Sequence, residues 1–124
     1  MQTREQKFAA AVFQRIERVS YLKFDQQTRY GSMAHQLPVL IRTAGLAQAL
    51  AFVDARREPS LQQLLDDLAV VMGHHSGADM IRLSREAHLP EYMRLTQDAL
   101  DALLWFKRFA QSMLGVMADQ EVRP

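Results

Sequence analysis

Apolar residues recur every three or four positions along most of this chain, a spacing that predicts helices. From Thr3 to about Leu22, Phe8, Val12, Ile16 and Val19 form one core stripe, joined by Ala9 and Phe13. The stretch FDQQTRYGSMAHQLP reads as a break, a short helical piece and a second break. Asp25 is placed to cap a helix starting at Gln26 or Gln27, and Gly31 interrupts it, permitting a turn or a close backbone approach. Pro38 suits the first turn of a helix running to about Ala55, with Leu40, Ile41, Ala44, Ala47, Leu50, Ala51 and Phe52 pointing mainly inward. Gly45 in its middle costs about 1 kcal/mol relative to Ala, which a tight helix crossing would justify.

Residues Ala55 to Pro59 form a charged loop, and Ser60 with Gln63 fits a capping box for the next helix. That helix puts Leu61, Leu64, Leu65, Leu68, Val71 and Met72 on its core side and ends at Gly73. HHSGADMIRLSREAHL reads as a loop and a short helix. The longest stripe follows, from Pro90 to Met117, through Tyr92, Leu95, Ala99, Leu103, Phe106, Ala110, Met113 and Met117. Leu100, Leu104, Phe109 and Leu114 widen its apolar arc beyond what one partner helix needs. At about 1.5 Å per residue this helix spans roughly 40 Å, so the others should be organised against it. No segment alternates with period two. The pattern therefore predicts an all-α, compact helical bundle of about five to six helices, packed antiparallel through short connections. Residues 1–124 read as a single helical domain, with 119–124 as a flexible tail.

Composition narrows the chemistry. The chain has 124 residues, 48% of them hydrophobic, enough for one real core. It has no cysteine, which excludes disulfides and Cys-ligated metal sites and fits a reducing, cytoplasmic setting. The opening MQTREQKF lacks the apolar run of a signal peptide, and Arg42 and Asp54 bracket the longest membrane-span candidate, so no membrane role is expected. The net charge of +1 hides an asymmetry: residues 1–57 carry nine basic and four acidic side chains, residues 58–124 six and ten. Arginine outnumbers lysine twelve to three, which suits bidentate contact with phosphate or carboxylate and equally a GC-rich genome. Such a molecule favours ordered docking over bulk polyanion binding.

Catalytic patterns are missing. His74 and His75 are adjacent and point in different directions on regular structure, while His35 and His88 are isolated, so no metal is expected. The pairs Asp66–Asp67 and Asp98/Asp101 lack the companion histidines of a di-iron bundle and read as water-facing. Neither a glycine-rich phosphate loop nor a serine with a local base occurs, and no cofactor is expected. Arg4, Lys7, Arg15 and Arg18 share one flank of the first helix. That flank is either a solvated face or a surface for anions, which Arg29, Arg42, Lys107 and Arg108 would extend if the helices pack side by side. Trp105 points away from the main stripe, near Arg94, Asp98, Asp101 and Arg108. It is either a protein-interface anchor or part of a second core layer. Asp66 and Asp67, in an acidic stretch without Lys or Arg from Glu58 to Met80, mark the negative end and complete the candidate protein-contact set with Trp105 and Arg94.

Three segments taken together carry a family likeness: Tyr30-Gly31 leading into Leu37-Pro38-Val39-Leu40-Ile41; Gly45-Leu46 through Leu50-Ala51-Phe52; and Glu91-Tyr92 through Trp105-Phe106-Lys107-Arg108-Phe109-Ala110. Their order resembles the small all-helical subunit of the Cmr effector, the type III-B CRISPR RNA-guided interference complex. The likeness covers most of the chain and is weakest over 56–88. Phe106 stands where an aliphatic residue would be expected, a volume-tolerant change.

The resemblance implies a non-catalytic subunit for antiviral defense. Several copies would stack head to tail beside the backbone subunits, along the guide RNA–target RNA duplex and against the large subunit. Its RNA contacts, non-sequence-specific, are expected from Arg4, Lys7, Arg15, Arg18, Arg42, Lys107 and Arg108. The alternative is a protein-only helical scaffold or adaptor whose basic face meets acidic partners.

Overall fold

The computed structural model describes residues 1–118 and folds them into six α-helices; the expected tail at 119–124 lies outside the described residues. They are α1 (Arg4–Val19), α2 (Phe24–Ala44), α3 (Leu46–Ala55), α4 (Pro59–Val71), α5 (Gly77–Glu86) and α6 (Leu89–Leu114). The all-α bundle and its long C-terminal helix agree with the periodicity.

Helix α6 is the centre of the packing. Pro90 sits in its first turn, where the missing N–H leaves no bond unmade. The expected run to Met117 stops earlier, because Gly115 adopts φ +69 and terminates the helix at Leu114. Leu95, Ala99, Ala102, Leu103, Phe106, Ala110 and Leu114 are buried along one face. Each large side chain among them contributes about 1.5–3 kcal/mol by leaving water. Helices α1 and α2 both lie against this face, α1 through Phe13 on Phe109 and α2 through Tyr30 on Phe106. In α1, Val12, Ile16 and Val19 are buried as the stripe requires, but Phe13 is 44% exposed and only edges onto Phe109.

The expected break after α1 is present, but the interruption at Gly31 and the second break before Pro38 do not occur. Helix α2 runs through both, starting at Phe24 after Lys23, and Asp25 lies inside its first turn instead of capping it. Burial on several sides stabilises this helix against its local breakers: Tyr30 to His35, Leu37, Pro38 and Ile41 are all buried. Gly31 has a packing role, since a Cβ there would lie 2.7 Å from the Cβ of Val116. After Gly115 the chain folds back so that Val116 fills this notch and its carbonyl meets His35 Nε2 at 2.9 Å.

The true break is Gly45, at φ +88 and ψ 159, a conformation open essentially to glycine alone. It separates α2 from α3, and the single helix expected from Pro38 to Ala55 is two. The turn rotates the inward face to Leu46, Ala49, Leu50 and Val53, which leaves Ala44, Ala51 and Phe52 exposed. Tyr92 of α6 braces the corner: its hydroxyl accepts the Ala47 N–H at 3.1 Å, one of the donors left open at the start of α3.

Helix α4 begins at Pro59, and its N-cap is Glu58, two residues before the expected cap Ser60, with no side-chain cap. Proline's fixed φ suits this first position, and Ser60 is buried. At the other end Gly73, at φ +94, closes the helix as expected: His74 N–H reaches Ala69 O at 2.8 Å and Gly73 N–H reaches Val70 O at 3.0 Å. The buried apolar side chains of all six helices form one cluster.

Candidate interaction surfaces

Lys7 and Arg18 lie about three turns apart on one line of α1, with Arg4 and Arg15 on a line nearer the core. The structure separates these two lines. Arg4, though exposed, is spent on partners of its own chain: Nη1 donates to Asp101 Oδ2 at 2.6 Å, Nη2 pairs with Asp98, and the guanidinium lies 4.7 Å from the Phe8 ring centroid. Its hydrogen bond to Asp101 raises the Arg4 pKa. Partial burial pushes Asp101 up, but hydrogen bonds from Arg4 and Gln97 outweigh it and hold the carboxyl below its usual range. This clamp ties the first turn of α1 to the middle of α6. The Asp98/Asp101 pair, read from sequence as water-facing, is therefore half-buried and salt-bridged.

Arg15 faces a second internal carboxylate. Asp67 is 1% exposed, so the water-facing and interface readings of this residue are corrected. It shares the inward face of α4 with Leu64 and Leu68, and it is satisfied there by polar partners. Tyr30 Oη donates to Asp67 Oδ2 at 2.6 Å, Gln63 Nε2 donates to Oδ1 at 2.8 Å, and Arg15 Nη1 stands 3.7 Å away. Burial raises the Asp67 pKa against the pull of these three groups. Burial, then the neighbouring carboxylate, pushes the Tyr30 phenol well above its ordinary value. Asp66 is exposed but also engaged, since its Oδ1 accepts the Gly77 N–H at 2.7 Å and so fixes the start of α5, where the Ser76 side chain supplies the cap.

Lys7, Arg18, Arg42 and Arg94 are exposed, and among the described residues none has a carboxylate partner. Lys107 and Arg108 are neighbours in sequence but about 100° apart around α6. Lys107 is half-buried, and Arg108 lies 5.3 Å from the Trp105 ring. Trp105 is half-buried and leans on Phe109 at 5.7 Å, so it joins the outer edge of the core and still borders solvent. Beside it a groove of about 400 Å³ opens between α6 and the first turn of α1. That groove leaves no mark in the sequence, because its lining comes from α1 and α6, which only tertiary packing brings together. Among the described residues no three His, Asp or Glu side chains converge to hold a metal ion, and no helix is long and apolar enough to cross a membrane.

The family of CRISPR-associated proteins designated Cas_Cmr5 matches residues 4–113. The chain belongs to the Cmr5 family. A CRISPR system Cmr subunit Cmr5 from Thermus thermophilus is 42% identical over 114 residues, which cover 92% of this chain and 98% of the relative. The crystal structure of a CRISPR-associated Cmr5 family protein from the same organism has a TM-score of 0.84 at 42% identity, covering 91% of this chain and 98% of that one. Cmr5 is the small, all-helical, structural subunit of the type III-B CRISPR effector and is non-catalytic. The resemblance drawn from the three sequence segments is thereby established across the stretch from α1 to the end of α6.

Proposed function

We propose that this Cmr5-family chain stacks in several copies beside the backbone subunits of the effector and faces the guide RNA–target RNA duplex with its unpaired cations. The observation that carries this reading is the division of the basic flank. Arg4 and Arg15 serve internal carboxylates, whereas Lys7, Arg18 and Arg42 stay exposed and free of carboxylate partners among the described residues. Arg108 and Lys107 add charge along α6. Dispersed cations without a base-reading element track phosphates and carry no sequence preference. Antiviral defense and cytoplasmic residence follow from the same reading.

A reconstituted type III-B effector carrying Lys7→Glu, Arg18→Glu and Arg42→Glu should bind target RNA more weakly, with a shallower dependence of affinity on salt. Unchanged affinity and slope would remove the RNA contact. The chain would then be the protein-only scaffold, a second reading favoured by the internal use of Arg4 and Arg15.

A further inference from the structure

We propose that the groove beside Trp105 receives Arg57 from a second copy of this chain, a contact that rests on the stacking reading above and specifies its surfaces. The groove has an apolar floor of Phe8, Leu104 and Trp105, and its polar lining is Arg4, Glu5 and Asp101, with Thr3 at the edge. The lining carries one net negative charge. Arg4 and Gln97 already hold Asp101, but Glu5 is exposed and has no partner among the described residues. Arg108 and Phe109 already lie against the Trp105 ring. The draw on a cation is therefore the free Glu5 carboxylate beside an apolar floor, which suits the fork and flat apolar faces of a guanidinium. That carboxylate repels a phosphate. At the first turn of α1, Thr3 and Gln6 close a reciprocal capping box that takes up two of the N–H groups an anion would use.

Arg57 is a cation presented for such a site. Among the described residues it is the sole non-glycine at positive φ, +54, and its side chain is 76% exposed with one loose ion pair, 3.8 Å to Asp54. This left-handed residue directly follows the Arg56 C-cap and ends α3, while Arg56 is bonded to Glu58 at 3.0 Å. The elbow and the groove lie on different flanks. The elbow joins α3 to α4, whereas the groove is built from the start of α1 and from α6. Patches on different flanks cannot pair by a two-fold axis and instead propagate copy to copy.

The absence of native cysteine makes the test specific. Chains carrying both Glu5→Cys and Arg57→Cys are assembled into the effector and treated with a short bismaleimide. Covalent multimers are expected on a denaturing gel, with none from either single variant. Charge reversal is the second arm: Glu5→Arg should lower the number of copies retained in the complex, and adding Arg57→Glu should restore it. No thiol cross-link, with copies still joined by an amine-reactive reagent, would overturn the proposed contact and leave stacking intact. No cross-link between copies by either reagent would overturn stacking as well. A bond from position 5 to another subunit would assign the groove a different occupant and overturn the contact.

Discussion

Gly31 carries a tertiary contact inside a helix that glycine by itself weakens. Alanine would favour α2 locally by about 0.5–1 kcal/mol, yet its Cβ would stand 2.7 Å from the Val116 Cβ. Overpacking of this kind costs about 1–3 kcal/mol, so Gly31→Ala should lower the urea midpoint despite the gain in propensity. In a Val116→Gly background the same change should become neutral or stabilising, which isolates the clash. The sequence made Gly31 legible as a point of close approach, but the approaching residue is distant in the chain and belongs to a segment read as helix. Asp67 is a residue of opposite character, a carboxyl group buried in the fold. Its folded pKa is raised above the unfolded value of about 3.9. The stability it contributes is therefore fully present below that unfolded value and is lost as pH rises through the raised folded one. The unfolding free energy of wild type minus that of Asp67→Asn should fall across this window, as read from urea denaturation at stepped pH. A flat difference would mean that Asp67 ionises in the fold as readily as in the unfolded chain. The signal for its burial was in the sequence, since Asp67 lies three residues beyond Leu64 and four before Val71. Residue type misdirected the reading, because ionisable groups are seldom buried without partners, and Tyr30 and Arg15 come from other helices.

At the scale of elements, the long periodic stripes of α1, α4 and α6 were legible because their apolar spacing is set by burial against one neighbouring layer. Helix α2 was not. Its Gly31 and Pro38 are strong local breakers, and only contacts on several sides outweigh them. The corner at Gly45 was misplaced for a related reason: glycine in a helical pattern does not declare its φ, and a crossing and a break look alike from one sequence. The structure decides for a break, and two side chains test it. Gly45→Ala should cost about 1–3 kcal/mol, since its φ of +88 with ψ 159 is closed to L side chains. Tyr92→Phe should cost about 1 kcal/mol through the lost hydrogen bond to Ala47 N–H. Both losses are read from denaturation midpoints. A Gly45→Ala protein as stable as wild type would mean that α2 and α3 can fuse into one helix.

For the whole molecule, the sum of charge says little and its allocation says much. A net charge of +1 gives no field strong enough for polyanion binding, so any RNA contact must come from a local surplus. The sequence showed four cations in one strip of α1, but it did not show which of them the fold would consume. Side-chain reach across helices decided that: Arg4 meets Asp98 and Asp101, and Arg15 meets Asp67, while Lys7 and Arg18 lie one step further around the helix. The two classes should separate experimentally. Arg4→Gln should lower stability by no more than about 1 kcal/mol, since its ion pairs are partly exposed and screened. Arg15→Gln should cost more, because it leaves a buried carboxylate without its nearest cation. Neither should change the salt dependence of RNA binding by the assembled effector. Reversing Lys7, Arg18 and Arg42 should do the converse, leaving the urea midpoint nearly unmoved. If all three touch phosphate in every copy, each copy should lose about two to three units of log–log slope, at about 0.7–0.9 per contact. A shallower slope from Arg4→Gln with an unmoved slope from the triple variant would invert the assignment and place the RNA at the seam of α1 and α6.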